Sequence, residues 1–471
     1  MSYTDSYFFI FIVTVFTLYY LMRTVSLQIA VLLIASLFFY AWQSAPLLGV
    51  FLCAWFITSI SSYAVATADT SIRAKVYATC GVLMNLGLLG FFKYKFLWIQ
   101  DFGELASRSP QTLGEWLVLA PLPVGISFYS FHGISLMIDV YRKNYKLAFV
   151  RENEGIALKH LTRTLLYLVF FPQLIAGPII KAKDFFPQVG LKYLKDIDFY
   201  GCFRILVLGY FLKSVIADSL GEQTAWMAYP YFQRKSSLEL LLMLYGYSAQ
   251  IFADFAGYSL IAIGLAKLFG YRLPDNFNFP YLSSSISEFW RRWHISLSSW
   301  LRDYLYIPLG GNKKGVLRTY LNLMIVMCLG GLWHGAAWSF ALWGLWHGLG
   351  LALERPLLGA WFMSSNHLYI RCFRVFLVFN FVSFGWLFFK LQDASQAFGY
   401  LNSMLYNNAS IGGLLGSLLI CIYGAVIFAY HLLSIYRNHI SIHNRNVLYG
   451  IMLFLIVTNS GSSAPFIYFQ F

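Results

Sequence analysis

SEFWRRWHISLSSWLRDYLYIPLGGNKKG, residues Ser287–Gly315, is followed by an apolar run and then by GGLWHGAAWSFALWGLWHG, residues Gly330–Gly348. Three histidines (His294, His334 and His347) and a cluster of arginines stand here among long apolar stretches. Charged or titratable groups in apolar surroundings cost free energy, so each is read first as a functional candidate.

The surroundings are decisive. Of 471 residues, 59% are hydrophobic and 11% charged, where soluble domains carry about 25% charged residues. Mean hydropathy is +0.62. The apolar runs are continuous, not the ~10-residue alternating segments of a membrane barrel. The expected fold class is therefore all-α: a polytopic transmembrane bundle of about eleven spans. Aromatics at 19% suit interfacial belts and a packed bundle. The net charge of +14 reads as the basic bias of cytoplasmic loops. It also suits an anionic donor such as a CoA thioester or an acidic carrier protein. Membrane lipid is the expected surroundings and nucleic acid is not an expected partner. Cys53, Cys80, Cys202, Cys328, Cys372 and Cys421 lack CxxC or disulfide spacing and read as buried, inert thiols.

Four spans are expected near Tyr7–Met22, Leu27–Trp42, Leu47–Ala66 and Val76–Phe91. The start lacks a basic n-region and a small-residue cleavage site, so it reads as a retained first span. Arg23, Arg73 and Lys75 fall in alternate connections, which puts the N-terminus outside and these loops inside. Lys93 and Lys95 are expected to snorkel at the end of the fourth span. Gly103–Glu115 reads as a polar outer loop and Leu117–Val140 as a fifth span. A basic run with Arg142, Lys143, Lys146, Arg151, Lys159 and Arg163 follows, on the cytoplasmic side. In the next apolar run Pro172, Gly177 and Pro178 are breakers, and lysines follow, so a re-entrant segment is expected. Further spans fall near Cys202–Ile216, Leu238–Phe255, Thr319–Gly331, Ala337–Leu353, Cys372–Phe389, Leu414–Leu433 and Val447–Val457. No soluble domain or linker interrupts the chain, so one integral-membrane domain over residues 1–471 is expected, with its core motifs in 121–348.

Taken as one helix, Ser287–Tyr304 gathers Trp290, Trp293, Leu297, Trp300, Leu301 and Tyr304 on one stripe. Glu288, Arg291, Arg292, Ser298, Ser299 and Arg302 face the other way. That is the pattern of a helix lying in the membrane interface, with His294 at the seam, an anchor residue or a functional one. Pro308, Gly310, Gly311 and Asn312 read as a tight turn; the spacing of a phosphate-binding loop is absent. His334 follows Gly330-Gly331, and glycines allow close backbone approach to a ligand. A neutral imidazole there suits a general base, with satisfaction by a neighbouring carbonyl as the plainer alternative. His347 lies thirteen residues on, about 220° around a helix, so the two imidazoles would not share a face and His347 reads as packing or as support behind the site. His132 with Asp139 forms a weaker pair, and Asp254 is a carboxylate inside an apolar helix. HExxH, GxSxG and GxxxxGK[ST] are absent, and His334 and His347 lack the carboxylates of a zinc site. No metal is expected. A transport path through the few intramembrane charges is the rival from another class.

Five motifs carry a resemblance: LPVGISFYSFHGISLMIDVYR, FFPQLIAGPII, DFAGYSLIAIGL running on to FGYRLPDNFNFPY, EFWRRWHISLSSWLRDYLYIPLGGNKKG, and GLWHG. In this order, over about Pro121–Gly348, the chain resembles the membrane-bound O-acyltransferases, in particular the type that O-acetylates alginate. It departs at Leu260, where that type often carries Asp. The resemblance implies a helical bundle around a tunnel or funnel, with re-entrant and interfacial helices. It implies His334 as the catalytic histidine and His294 as a second catalytic position, with Arg291, Arg302, Trp333, Asp254, Gly331 and Gly335 placed toward substrate. The implied donor is a cytoplasmic thioester, acetyl-CoA, with no bound cofactor. The implied acceptor is an exopolysaccharide such as alginate or cellulose, reached with periplasmic acetyltransferase partners. D-alanyl transfer to an envelope polymer is the alternative within the same superfamily. For the chemistry, the expected arrangement has His334 as base, His294 polarising a reactant, and backbone N–H groups of Gly330–Gly335 receiving the oxyanion.

Overall fold

A computed structural model describes residues 1–43, 45–98, 110, 112–143, 156–175, 177–364, 367–408, 412–435, 441–462 and 466. Among these, every regular element is helical. Among the described residues, eight helices are long and apolar enough to cross a membrane, including Val25–Trp42, Ala45–Thr67, Ser71–Phe96, Ser237–Leu268 and Val316–His334. Shorter apolar helices run over Ser6–Leu21 and Ile442–Thr458. The all-α, multi-pass membrane architecture expected from hydropathy is present. Most of the polar loop expected at Gly103–Glu115 lies outside the described residues, as do Lys146 and Arg151.

The chain forms two compact units, one of Met1–Cys202 with Ala262–Pro274 and the other of Phe203–Ile261 with Asp275–Phe471. In the first, the expected fifth span is not continuous. A short helix, Leu113–Leu119, ends before Pro121, and a second, Ile126–Tyr141, begins after Gly125. Gly125 sits at φ +72°, and a Cβ there would meet the Leu174 carbonyl oxygen. The break also corrects the reading of the nearby lysines. Lys93 and Lys95 are buried, at 8% and 1% exposure, and the Lys95 ammonium donates to the Ala120 carbonyl that the break leaves without a helical partner.

The run with Pro172 and Pro178 is interrupted as expected. Its helix stops at Val169, a single turn follows over Phe171–Leu174, and residues 177–181 are non-helical. Buried irregular backbone must find other partners. The Tyr3 hydroxyl donates to the carbonyls of Phe171 (3.0 Å) and Pro172 (3.2 Å). The Tyr167 hydroxyl donates to Ile180 O at 2.8 Å. His132 is buried against the Tyr167 ring, at 5.1 Å between centroids.

Two further readings change. Cys53, Cys80, Cys372 and Cys421 are exposed, each on an outward face of a candidate span, and of the six only Cys202 is buried. A thiol is apolar enough to face outward from a span, so apolar sequence context did not require burial. In the second unit, Ser287–Tyr304 is not one helix. It divides into Ile286–Arg292 and Ile295–Leu301, followed by a wider π turn over Arg302–Tyr306. The glycine turn after it is as expected, with Gly311 at φ +54° and its carbonyl held by Asn322 Nδ2 at 2.9 Å.

Candidate active site

The break at His294 has a clear cause. His294 adopts φ +42°, ψ +54°, a left-handed conformation that costs a non-glycine residue ~1–2 kcal/mol. Asn276 holds it there. The Asn276 carbonyl accepts from Ile295 N at 2.9 Å, and Arg292 O accepts from Asn278 N at 2.9 Å. The Asn276 side-chain oxygen accepts from Ser296 Oγ (2.9 Å) and Ser296 N (3.3 Å) and lies 3.1 Å from His294 Nδ1. A backbone N–H only donates, so the Asn276 atom facing Ser296 is the oxygen. His294 therefore carries its proton on Nδ1 and presents Nε2 as the acceptor nitrogen. The imidazole stands edge-on to Phe255, with centroids 4.6 Å apart at 87°.

Burial pushes the His294 imidazole down to about 3, against about 6.5 in an unfolded chain. The unfolded state binds more protons between these values, so stability falls as pH drops from about 6.5 toward 3. Thermal unfolding at a series of pH values checks this, with His294→Asn expected to give a shallower acid dependence. An unchanged slope would show that His294 does not contribute to it.

The first half of the platform is anchored by acids. Glu354, 7% exposed, accepts from Ile286 N at 2.5 Å. Ser285 Oγ caps Glu288 N at 2.9 Å, and Glu288 accepts from the Ser284 N–H and hydroxyl. Burial pushes the Glu288 carboxyl up, but the Ser284 hydrogen bonds and the Arg292 guanidinium outweigh it and leave the group lowered. Its Arg292 partner lies at 2.7 Å.

His334 is the last residue of the helix Val316–His334. Residues 335–337 turn the chain into a second long helix, Trp338–Ser364. The glycines of the repeated GLWHG pack this hairpin. A Cβ on Gly331 would come within 2.2 Å of Phe340 O, and one on Gly344 within 2.4 Å of Met327 O. These glycines admit a neighbouring backbone, not a ligand. Gly331→Ala and Gly344→Ala are each expected to destabilise by about 1–3 kcal/mol or more through overpacking. The thermal midpoint of the purified protein measures it, and unchanged midpoints would contradict the packing role. Gly330 and Gly331 lie inside the helix, so their N–H groups donate within its ladder. The oxyanion role expected for them is not available.

A cavity of about 330 Å³ opens in this unit, lined by Ser287, Trp290, Arg291, Ile295, Leu297, Ser298, Ser299, Leu301, Arg302, Tyr306, Leu323, Val326, Met327, Gly330, His334, Trp343 and Leu351. That is large enough for a small-molecule site. His334 is 5% exposed and sits in an aromatic cage, 4.9 Å from Trp333, 5.1 Å from Trp343 and 5.0 Å from Phe389 between ring centroids. Arg302 is exposed and pairs with Asp303 at 2.7 Å. Arg291 donates to Ser287 Oγ at 3.0 Å.

Of the residues expected at the site, the cavity joins His334, Arg291 and Arg302. His294, Trp333, Gly331, Gly335 and Asp254 do not line it. Trp333 packs on His334. Gly335 makes room for the Phe340 ring. Asp254 pairs with buried Lys213 at 2.8 Å. His347, expected not to share a helix face with His334 and to pack or support the site, is one indole away from it, since Trp343 packs against both at 5.1 and 4.9 Å. The angular estimate assumed one continuous helix, and the chain instead reverses at Gly335. Asn276, Trp290 and Trp343 were missed as site residues. Asn276 lay inside a recognised motif, Trp290 was taken as part of an interfacial anchor, and Trp343 was not singled out.

The family model for membrane-bound O-acyltransferases matches residues 126–391. The chain is 36% identical over 406 residues to the probable alginate O-acetylase AlgI of Azotobacter vinelandii, covering 84% of this chain and 76% of that protein. This chain belongs to the membrane-bound O-acyltransferase family. It is an O-acyltransferase with several membrane-crossing helices. It is also 34% identical over 396 residues to the peptidoglycan O-acetyltransferase of Helicobacter pylori, 79% of this chain and 73% of that protein. To the teichoic acid D-alanyltransferase of Bacillus subtilis it is 28% identical over 285 residues, 57% of this chain and 68% of that protein.

Proposed function

We propose that this O-acyltransferase moves an acetyl group from a cytoplasmic thioester, acetyl-CoA, toward O-acetylation of an exopolysaccharide such as alginate or cellulose. It acts in the bacterial inner membrane with its N-terminus in the periplasm. Periplasmic acetyltransferase partners carry the group onward to the polymer. The observation that carries this reading is one cavity lined by exposed Arg291 and Arg302 together with buried His334. Guanidinium groups suit the phosphates of a nucleotide-bearing donor, and the imidazole suits proton removal from an attacking hydroxyl. His294, which does not line the cavity, is assigned the second position, supporting the site through its neighbours with its acceptor nitrogen set by Asn276. Trp333, Gly331 and Gly335 support the site by shaping the His334 hairpin. Asp254 is assigned an indirect role through its ion pair.

Purified protein in lipid nanodiscs, given acetyl-CoA labelled in the acetyl group, is expected to release free CoA and to label a hydroxyl acceptor. The likeness to a D-alanyltransferase favours one second reading, with an aminoacylated carrier protein as donor. Turnover of D-alanyl carrier protein but not of acetyl-CoA would replace the first reading with the second.

A further inference from the structure

Acyl transfer at this cavity needs a group to receive charge on the carbonyl oxygen. As the acceptor hydroxyl attacks the thioester carbon, a C–O bond forms and the hydroxyl proton passes to His334. The carbonyl π pair moves onto oxygen. Preorganised donors aimed at that oxygen stabilise the transition state. The backbone N–H groups of Gly330 and Gly331 are used within their own helix.

Two side chains fit the need. Trp290 and Trp343 both line the cavity that holds His334. Their indole N–H groups are buried and have no hydrogen-bond partner among the described residues. An indole N–H can only donate, and a buried one usually finds an acceptor. Both side chains contribute to the cavity wall. Both rings are held firmly. Trp343 is 2% exposed and stands perpendicular to His334 at 5.1 Å, with Trp386 stacked behind it at 6.0 Å and 24°. Trp290 meets Trp343 edge-on, at 5.6 Å and 79°. His347 packs against both indoles, at 5.1 and 4.9 Å, which gives the second GLWHG histidine a positioning role.

We propose that Trp290 and Trp343 form the oxyanion site of this enzyme, donating Nε1–H to the acyl carbonyl oxygen. The inference rests on reading the cavity as an acyl-thioester centre. After attack, the oxygen pair returns to re-form C=O, the C–S bond breaks, and the proton held by His334 passes to the leaving thiolate. Atoms and electrons balance without a further reactant.

The test replaces Trp343, and separately Trp290, with 3-benzothienylalanine in the full chain in nanodiscs. This keeps the bicyclic shape and exchanges N–H for sulfur. Each replacement is expected to lower kcat for acetyl-CoA turnover by about 10²-fold, with KM little changed, as for loss of one oxyanion donor. Retention of wild-type kcat overturns the proposal, and so does an effect confined to KM or to the thermal midpoint, which marks packing only. If a sulfur analogue does not fold, site-specific 4-fluorotryptophan strengthens the donor at nearly constant size. A raised kcat supports the proposal, and an unchanged or lowered one overturns it. Failure of the wild type to turn over acetyl-CoA instead refutes the thioester reading on which the inference rests.

Discussion

His334→Ala is expected to lower acyl transfer by about 10³-fold, within the range for loss of a general base. The helix Val316–His334 ends at this residue, so the substitution leaves the helix ladder intact and removes only the ring's contacts with Trp333, Trp343 and Phe389. The space it leaves adjoins a cavity that already exists. The protein is expected to stay folded with a lowered thermal midpoint from the lost packing, while turnover of labelled donor collapses. His334→Gln keeps the volume but not the basicity and is expected to be equally inactive. Full transfer by either variant, with the protein monodisperse, would remove His334 from the mechanism.

The second large effect is on folding. Lys213 is 1% exposed, and its ammonium lies 2.6 Å from Asp218 and 2.8 Å from Asp254. It also sits over the Tyr258 ring at 5.3 Å. The segment Phe211–Ala217 that carries it is a π-helix, a widening often associated with functional sites. Gly257 permits this contact, since a Cβ there would come within 2.9 Å of both Gly209 O and Lys213 N. Lys213→Met leaves two buried carboxylates without their cation. Breaking a buried pair from one side costs about 3–5 kcal/mol, a large part of the usual 5–15 kcal/mol of stability. The variant is expected to lose most of its monodisperse yield in size-exclusion chromatography. Adding Asp218→Asn and Asp254→Asn removes the uncompensated charge and is expected to restore much of that yield. A single variant as stable as wild type would contradict the charge account. If the triple variant folds but does not transfer acyl groups, this buried ion cluster has a role in the reaction beyond folding.

The legible part of this protein came from patterns that solvent physics imposes. Long apolar runs with few charges are stable only as helices in an apolar medium, and that holds whatever the packing. The breakers around Pro172 and Pro178 were legible for the same reason, because proline removes a donor wherever it stands. His334 stood out as a titratable group among apolar residues. The Ser287–Tyr304 segment was read less well. Its periodicity fits one amphipathic helix, yet the chain turns through a left-handed residue at His294. Nothing local demands that turn. It is held by Asn276, eighteen positions earlier.

The glycines of the GLWHG repeat show the same division. Their presence predicted close approach, but not of what. The neighbour proved to be the following helix, so the histidines that helical phase set far apart are joined through Trp343. By itself, then, the sequence determined a multi-pass helical acyltransferase and singled out His334 as its candidate base, because hydropathy and motif chemistry are local properties. The tertiary structure alone decided which residues share the cavity, which histidine nitrogen accepts, and which donors remain to meet a substrate. Those depend on contacts between residues distant in the chain, and no local periodicity records them.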